Sequence, residues 1–375
     1  MNTEVTDRQG LEQTITEAAA PHAAEMDHLG QFPRDAIRGL GAAGLLGLIS
    51  ANEVGGEGKA LRQAAEVVEI AARSCGSTAM VMCMHYCATA VIEAYGPRDV
   101  REAIARDQHL TTLAFSEAGS RGHFWVPLST AAASDGTVRL DAQKSWVTSA
   151  GEAISYVWSS KPVAAEGLST LWLVAADRPG LTVRGPFDGL GLRGNASSPI
   201  TAEGTTIPAD LRLGEDGKGF DIMMGVVLPH FQVLNAAFSV GTMQAAIAST
   251  VAHLTAARYE HLGQTLADQP TARQAVARMQ IRYDQARALL LDTIDAIEQG
   301  RPDAQLRVLE VKASASEAAL EVTDLAMRAC GGAAFRKEVG VERNFRDARA
   351  ASVMAPSTDV LHDFIGKAVC GLPLF

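Results

Sequence analysis

The chain is 375 residues long, 47% apolar and 20% charged, with a formal net charge of −10 at pH 7. That length and apolar content supply a large core and set two or three domains as the starting expectation. An acidic balance without a long Lys/Arg run excludes a phosphate-tracking surface, so no nucleic-acid partner is expected.

Residues up to about Asp107 read as helical. Apolar residues recur at helical spacing over Leu11–Met26, Ala36–Leu46, Ala64–Ala72 and Ala79–Tyr95, with Pro33 and Asp35 at one start and Gly44 and Gly47 at its end. From His109 to about Leu213 short β-rich runs take over (Leu110–Phe115, Thr137–Leu140, Tyr156–Ser159, Leu171–Ala175, Leu181–Val183). Asp135-Gly136 is a hairpin signal ahead of the second run. After Gly217-Lys218-Gly219-Phe220, long apolar segments over Met223–Arg258, Ala272–Gln299 and Asp303–Ala329 predict a helical bundle that buries more than one face and packs against other subunits. The expected fold class is α+β: an N-terminal helical domain (1–108), a middle antiparallel β domain or barrel (109–215), and a C-terminal long four-helix bundle (216–375). The α–β–α order without alternating βα units argues against a Rossmann domain.

Five cysteines, several within apolar helical stretches, fit reduced buried thiols and a cytoplasmic location. The start, Met1-Asn2-Thr3-Glu4-Val5-Thr6-Asp7, has no basic or apolar signal region. No uninterrupted apolar run reaches spanning length, so no membrane association is expected. Cys83, His85 and Cys87 stand at i, i+2 and i+4, which does not bring three ligands to one helix face, and no metal is expected.

Several motifs resemble those of the acyl-CoA dehydrogenase family, in the family's order over some 300 residues. Gly44-Leu45-Leu46-Gly47-Leu48-Ile49 with Glu53-Val54-Gly55-Gly56-Glu57-Gly58 resembles its N-terminal helix-to-loop passage. Leu113-Ala114-Phe115-Ser116-Glu117-Ala118-Gly119-Ser120 and Lys144-Ser145-Trp146-Val147-Thr148-Ser149 resemble its two flavin-contacting strands. Leu190-Gly191-Leu192-Arg193-Gly194, Ile207-Pro208-Ala209 and Leu213–Phe220 resemble the exit from the sheet domain. Ala329-Cys330-Gly331-Gly332-Ala333-Ala334-Phe335 resembles the C-terminal Gly-Gly turn, and Arg346-Asp347 the Arg-Asp pair after it.

The resemblance implies FAD as cofactor and an acyl thioester, on CoA or on a carrier protein, as substrate. It assigns flavin contacts to Phe115, Ser116, Trp146, Val147, Thr148, Ser357 and Asp359, and dinucleotide contacts to Arg258, Cys330, Gly331 and Gly332, partly toward a neighbouring subunit. A flavin needs a flat wall and donors at its polar edge, and Trp146, Ser116 and Thr148 are residue types that supply them. A homotetramer or homodimer and an electron-transfer partner or flavin reductase are implied as well.

Against that background, the usual catalytic glutamate before a Gly-Thr pair is replaced by Ala355, ahead of Pro356-Ser357. The family's second location for the base falls at Phe231, and its substrate-contacting arginine at Gln232, so Phe231, Gln232 and Ala355 become substrate-facing candidates without acid–base chemistry. Near these vacancies, His230, Asp359 and His362 are the candidate bases, with His123 in the unusual stretch Arg121-Gly122-His123-Phe124-Trp125. Tyr259-Glu260-His261-Leu262-Gly263 stands where an Arg-x-x-Phe-Gly is usual, with Arg258 one place early. Three functions fit: an FAD-dependent dehydrogenase with a non-standard or absent base, a flavin-dependent monooxygenase on the same scaffold, or a non-catalytic flavoprotein.

Overall fold

The computed structural model describes residues 8–120 and 122–375. Residues 1–7 and Arg121 lie outside the described residues, and with them the reading of the chain's polar start.

Six helices come first: α1 (Arg8–Ala19), α2 (Ala23–Leu29), α3 (Arg34–Ala42), α4 (Leu61–Ser74), α5 (Gly76–Tyr95) and α6 (Arg98–Ala105). The single helix expected over Leu11–Met26 is two, because Pro21 has no amide to carry the ladder on. Strands follow: β1 (Thr111–Ala114), β2 (Thr130–Ser134), β3 (Thr137–Val147), β4 (Ser155–Ser160), β5 (Thr170–Ala175), β6 (Leu181–Val183), β7 (Ser198–Pro208) and β8 (Arg212–Leu213). They form two four-stranded sheets, ordered β1-β4-β5-β8 and β2-β3-β7-β6. The β1–β4 pair is parallel, the one departure from the expected antiparallel domain, and the two separate sheets replace a closed barrel. Asp135 and Gly136 both hold positive φ (41° and 78°) and close the β2–β3 hairpin as a two-residue turn. Tyr156, Trp158, Trp172 and Ile200 fill the small core of this region.

The chain then enters α7 (Gly219–Ile222), a stretch of wider π-type turns at Met223–Val227, and α8 (Leu228–Ala256). Pro229 cannot donate back to the Gly225 carbonyl, which gives a physical reason for the widening just before it. A small hairpin, β9 (Arg258–Tyr259) with β10 (Gln264–Thr265), leads to α9 (Pro270–Glu298), α10 (Ala304–Cys330), α11 (Val341–Val353) and α12 (Thr358–Val369).

The continuous helix Gly219–Ala256 is long and apolar enough to cross a membrane by length and composition, contrary to the expectation that no segment would be. Two thirds of its apolar window (67%) is buried inside the protein, against α4, α5 and the bundle helices α9–α11. Its approach to α4 is close: a Cβ on Gly241 would stand 2.1 Å from the Glu69 carbonyl oxygen. One large apolar core therefore runs from the N-terminal helices into the bundle.

Candidate functional site

Between the sheet region, α8 and the end of α11 lies a cavity of about 740 Å³, within the range of small-molecule sites. It has a polar edge from the strands and an apolar wall from the helices.

The polar edge is built by β1 and β3. Just past β1, the Ser116 carbonyl accepts from the Ser145 amide at 2.8 Å, holding the two strand ends together. Glu117 and Lys144 reinforce the junction with a buried ion pair at 2.6 Å. Lys144 Nζ also donates to the Ser159 carbonyl at 2.7 Å and Oγ at 2.9 Å, while Glu117 accepts the Leu128 amide at 2.6 Å, the Ser129 amide and the Ser129 hydroxyl. Burial pulls the Lys144 ammonium down to about 8 against the opposing pull of Glu117.

At the end of β3 a bulge breaks the register between Lys144 and Val147, and Trp146 takes a left-handed φ of 56°. The indole is thereby turned out to the rim, 70% exposed, where it lines the cavity mouth. A left-handed backbone at a bulky residue is costly and is a hint of function. One residue further, the buried Thr148 hydroxyl lies 3.2 Å from that of Ser197, whose amide donates to Asn195 Oδ1 at 3.1 Å. The Asn195 amide nitrogen is buried and has no partner.

The apolar wall brings together Val227 at the end of the π-type turns, Leu228 and Phe231 of α8, Ala350 and Val353 of α11, and Met354 and Ala355 beyond it. Phe231 and Ala355 thus line one cavity, and neither offers an acid or base. Among the described residues the one carboxylate in the lining is Glu117, whose acceptor capacity is already used by Lys144 and the 128–129 segment. Two arginines sit at the rim. Arg346 is pinned by Asp27 at 2.6 Å, Glu342 at 2.7 Å and the Leu190 carbonyl, which hold its pKa above the ordinary value against desolvation. Arg349 stacks on Phe345 at 3.9 Å, and burial lowers its pKa. Asp347 accepts the Leu192 amide at 2.6 Å and so ties the 189–192 lining to α11; burial raises its carboxyl to about 6. Gly191 permits that approach, since a Cβ there would meet the Arg346 carbonyl at 2.5 Å.

Of the residues expected from the sequence, Phe115, Ser116, Trp146, Thr148, Phe231 and Ala355 all line this cavity. Val147 instead points into the core of the sheet region, because the bulge after Lys144 shifts the alternation of β3 by one residue. Gln232 is fully buried outside the lining, and both its amide atoms lack partners. His230 is also outside it: its Nδ1–H donates to the Val226 carbonyl at 2.8 Å, and burial lowers its pKa. His362 faces a different groove, 3.5 Å from Glu317, and Asp359 is exposed in the first turn of α12. Ser357 takes the N-cap position of α12, but its hydroxyl makes no capping bond. Arg258, Gly331 and Gly332 are exposed away from the cavity, while Cys330 is buried at the end of α10. His123 is exposed and stacks on Trp125 at 5.1 Å. His85 is buried between the Leu46 carbonyl and the Thr111 amide, which occupy both ring nitrogens, and desolvation holds it near 4.

Sequence reasoning passed over Asn195, Ser197 and Met354 as lining residues, and Lys312 behind the wall. The signal for Lys312 was available: it is a lone lysine at the buried phase of α10, in register with Leu309, Ser316 and Ala319.

The site fits a flavin ring. Hydroxyls of Ser116, Thr148 and Ser197 and the partnerless Asn195 amide gather on one side, and Met84, Leu113 and Phe115 offer apolar contact.

Comparison with known proteins agrees. The sequence profiles for the acyl-CoA dehydrogenase N-terminal and C-terminal domains match residues 4–107 and 217–370. A probable acyl-CoA dehydrogenase, YngJ of Bacillus subtilis (strain 168), is 28% identical over 96% of this chain and 97% of its own length. An L-prolyl-[peptidyl-carrier protein] dehydrogenase of Pseudomonas fluorescens is 28% identical over 87% of this chain and 88% of its own. The butyryl-CoA dehydrogenase of Megasphaera elsdenii superposes with a TM-score of 0.89 at 23% identity, covering 99% of this chain and 100% of that one. The chain belongs to the acyl-CoA dehydrogenase family, whose members are FAD flavoproteins.

Proposed function

We propose that the protein is an FAD-dependent oxidoreductase that oxidises an acyl thioester, with a carrier protein as the preferred bearer of the acyl group. The observation that carries this reading is the single cavity in which a polar strand edge faces an apolar wall containing Phe231 and Ala355. FAD supplies the two-electron acceptor; Ser116, Thr148, Ser197 and Asn195 hold its polar edge, and Trp146 covers the ring at the mouth. The wall seats the acyl chain. The peptidyl-carrier-protein dehydrogenase among the relatives fits a tethered substrate. Arg258, Gly331, Gly332, Ser357 and Asp359 stand outside the cavity, in keeping with a dinucleotide reaching between subunits of a homo-oligomer, as does the exposed Phe335.

A second reading has its own support. With Glu117 saturated and no other carboxylate among the described lining residues, proton abstraction from carbon lacks a base worth roughly 10²–10⁴-fold. A monooxygenase on this scaffold, fed reduced flavin by a reductase, has no need of one.

The visible spectrum of the purified protein separates the readings, followed by anaerobic addition of one acyl group on CoA and on carrier protein. Stoichiometric flavin bleached by the carrier-bound thioester supports the dehydrogenase. A folded, colourless protein that takes up reduced flavin supports the monooxygenase. Thr148→Ala and Trp146→Ala are each expected to lower flavin occupancy or turnover at least roughly tenfold; unaltered values in both would sink the assignment of the flavin edge.

A further inference from the structure

We propose that Lys312 is a positioning residue that fixes the acyl-side wall of the cavity, an inference that rests on the acyl-thioester reading above. Lys312 lies in the middle of α10, fully buried, and pairs with no carboxylate among the described residues. Its Nζ donates to the Met354 carbonyl at 3.0 Å and to the Pro356 carbonyl at 2.7 Å. Those two carbonyls flank Ala355, so one amine grips the turn between α11 and α12 on both sides of the residue that lines the site. The same ammonium lies 5.9 Å from the ring centroid of Phe231 on α8. Both vacated base positions are therefore held from behind by one group.

A buried ammonium without a counter-ion is costly, and it is tolerated here because two carbonyl dipoles and a ring face meet it. Desolvation lowers Lys312 to about 7, with the Cys83 thiol of α5 pulling the other way. Around it, α8 presents Phe231 and the amide of Asn235, which reaches Met354 Sδ; α12 presents the Thr358 hydroxyl, bonded to Ser316 of α10. Cys83 is thus the titratable group that faces it. As pH rises through 7 the third proton leaves, the ring loses its cation, and the grip on the two carbonyls weakens.

The test compares wild type with Lys312→Met and Phe231→Leu by hydrogen exchange and by the pH dependence of flavin reduction with an acyl thioester. In Lys312→Met, amides over residues 354–361 are expected to exchange at least roughly tenfold faster, with α1–α6 unchanged. The step in reduction rate near pH 7 is expected to vanish. Phe231→Leu keeps both hydrogen bonds and moves the step to lower pH. Unchanged exchange in Lys312→Met, or a step that survives it, overturns the proposal. If Lys312→Met loses protection everywhere, Phe231→Leu decides: a shifted step supports the clamp and an unshifted one overturns it. Should no thioester reduce the wild type, the functional reading fails while the exchange comparison still judges Lys312.

Discussion

Replacing Lys144 by Met tests the junction on which the polar edge is built. The side chains of Lys144 and Glu117 are 0% and 3% exposed. Lys144→Met keeps the apolar stem and removes the ammonium, leaving Glu117 as a buried carboxylate with only the 128–129 donors. Breaking one side of a buried pair costs about 3–5 kcal/mol, and the remaining donors to Glu117 put the expectation near the lower end, about 3 kcal/mol. The double variant Lys144→Met, Glu117→Gln removes both charges and is expected to cost only about 1–2 kcal/mol, so the two positions couple with opposite sign to simple addition. Urea unfolding of flavin-free protein near pH 7 reads all four corners of the cycle. The sign with pH follows from a base depressed in the folded state, from its usual 10.5 to about 8. Stability from this group is fully present above 10.5 and is lost as pH falls through 8, so the deficit of Lys144→Met grows from pH 8 to 10.5. A cost below about 0.5 kcal/mol for Lys144→Met, or a double variant as unstable as the two singles together, would refute the junction.

Two further outcomes are expected. Asp347 is raised in the folded state to about 6 by burial, so its contribution is fully present below the unfolded value near 3.8 and is lost as pH rises through 6. Asp347→Asn should therefore recover up to about 3 kcal/mol relative to wild type between pH 4 and pH 7, provided the amide oxygen keeps the Leu192 bond; melts at both pH values that move in parallel would contradict this. Ala355→Glu places a carboxylate in the apolar wall and is expected to speed anaerobic bleaching by an alkyl acyl thioester by roughly 10²–10⁴-fold; an unchanged rate would show that carbon-acid chemistry is not what this cavity lacks.

Much of this arrangement was legible in the chain. Helices with long apolar phases, such as Met223–Arg258, were visible within a few residues of their ends because periodicity survives burial on several faces. Asp135-Gly136 announced its hairpin because both places need a positive φ that few residues accept. The strands β2 and β7 were not visible. Ala and Ser in β2, and Ser, Thr and Ala at inward places of β7, hide the alternation that larger apolar residues would have shown. Trp146 was read as a ring cover from its place in a motif, but its outward turn depends on a bulge that no local sequence rule sets. Glu117 and Lys144 are 27 residues apart, and only the tertiary fold makes them partners.

The same limit explains why the candidate bases lie outside the cavity. His230, Asp359 and His362 were chosen for nearness in sequence to Ala355 and Phe231, and a helix turns neighbours away from one another. Phe231 faces the cavity while His230, one residue back, bonds its own helix. Asp359 and His362 lie on the first turns of α12, past the turn that Ala355 occupies, and both are exposed. What sits behind Ala355 comes instead from α10, 43 residues upstream, and it is a lysine. Among the described residues that lysine has no counter-ion, and carbonyl dipoles and a ring take the place of one. The apolar residues at 231 and 355 and the depressed lysine therefore belong to one electrostatic arrangement. A carboxylate introduced at 355 would stand between the two carbonyls Lys312 holds, and it would raise the lysine back toward its usual value as it gave the site a base.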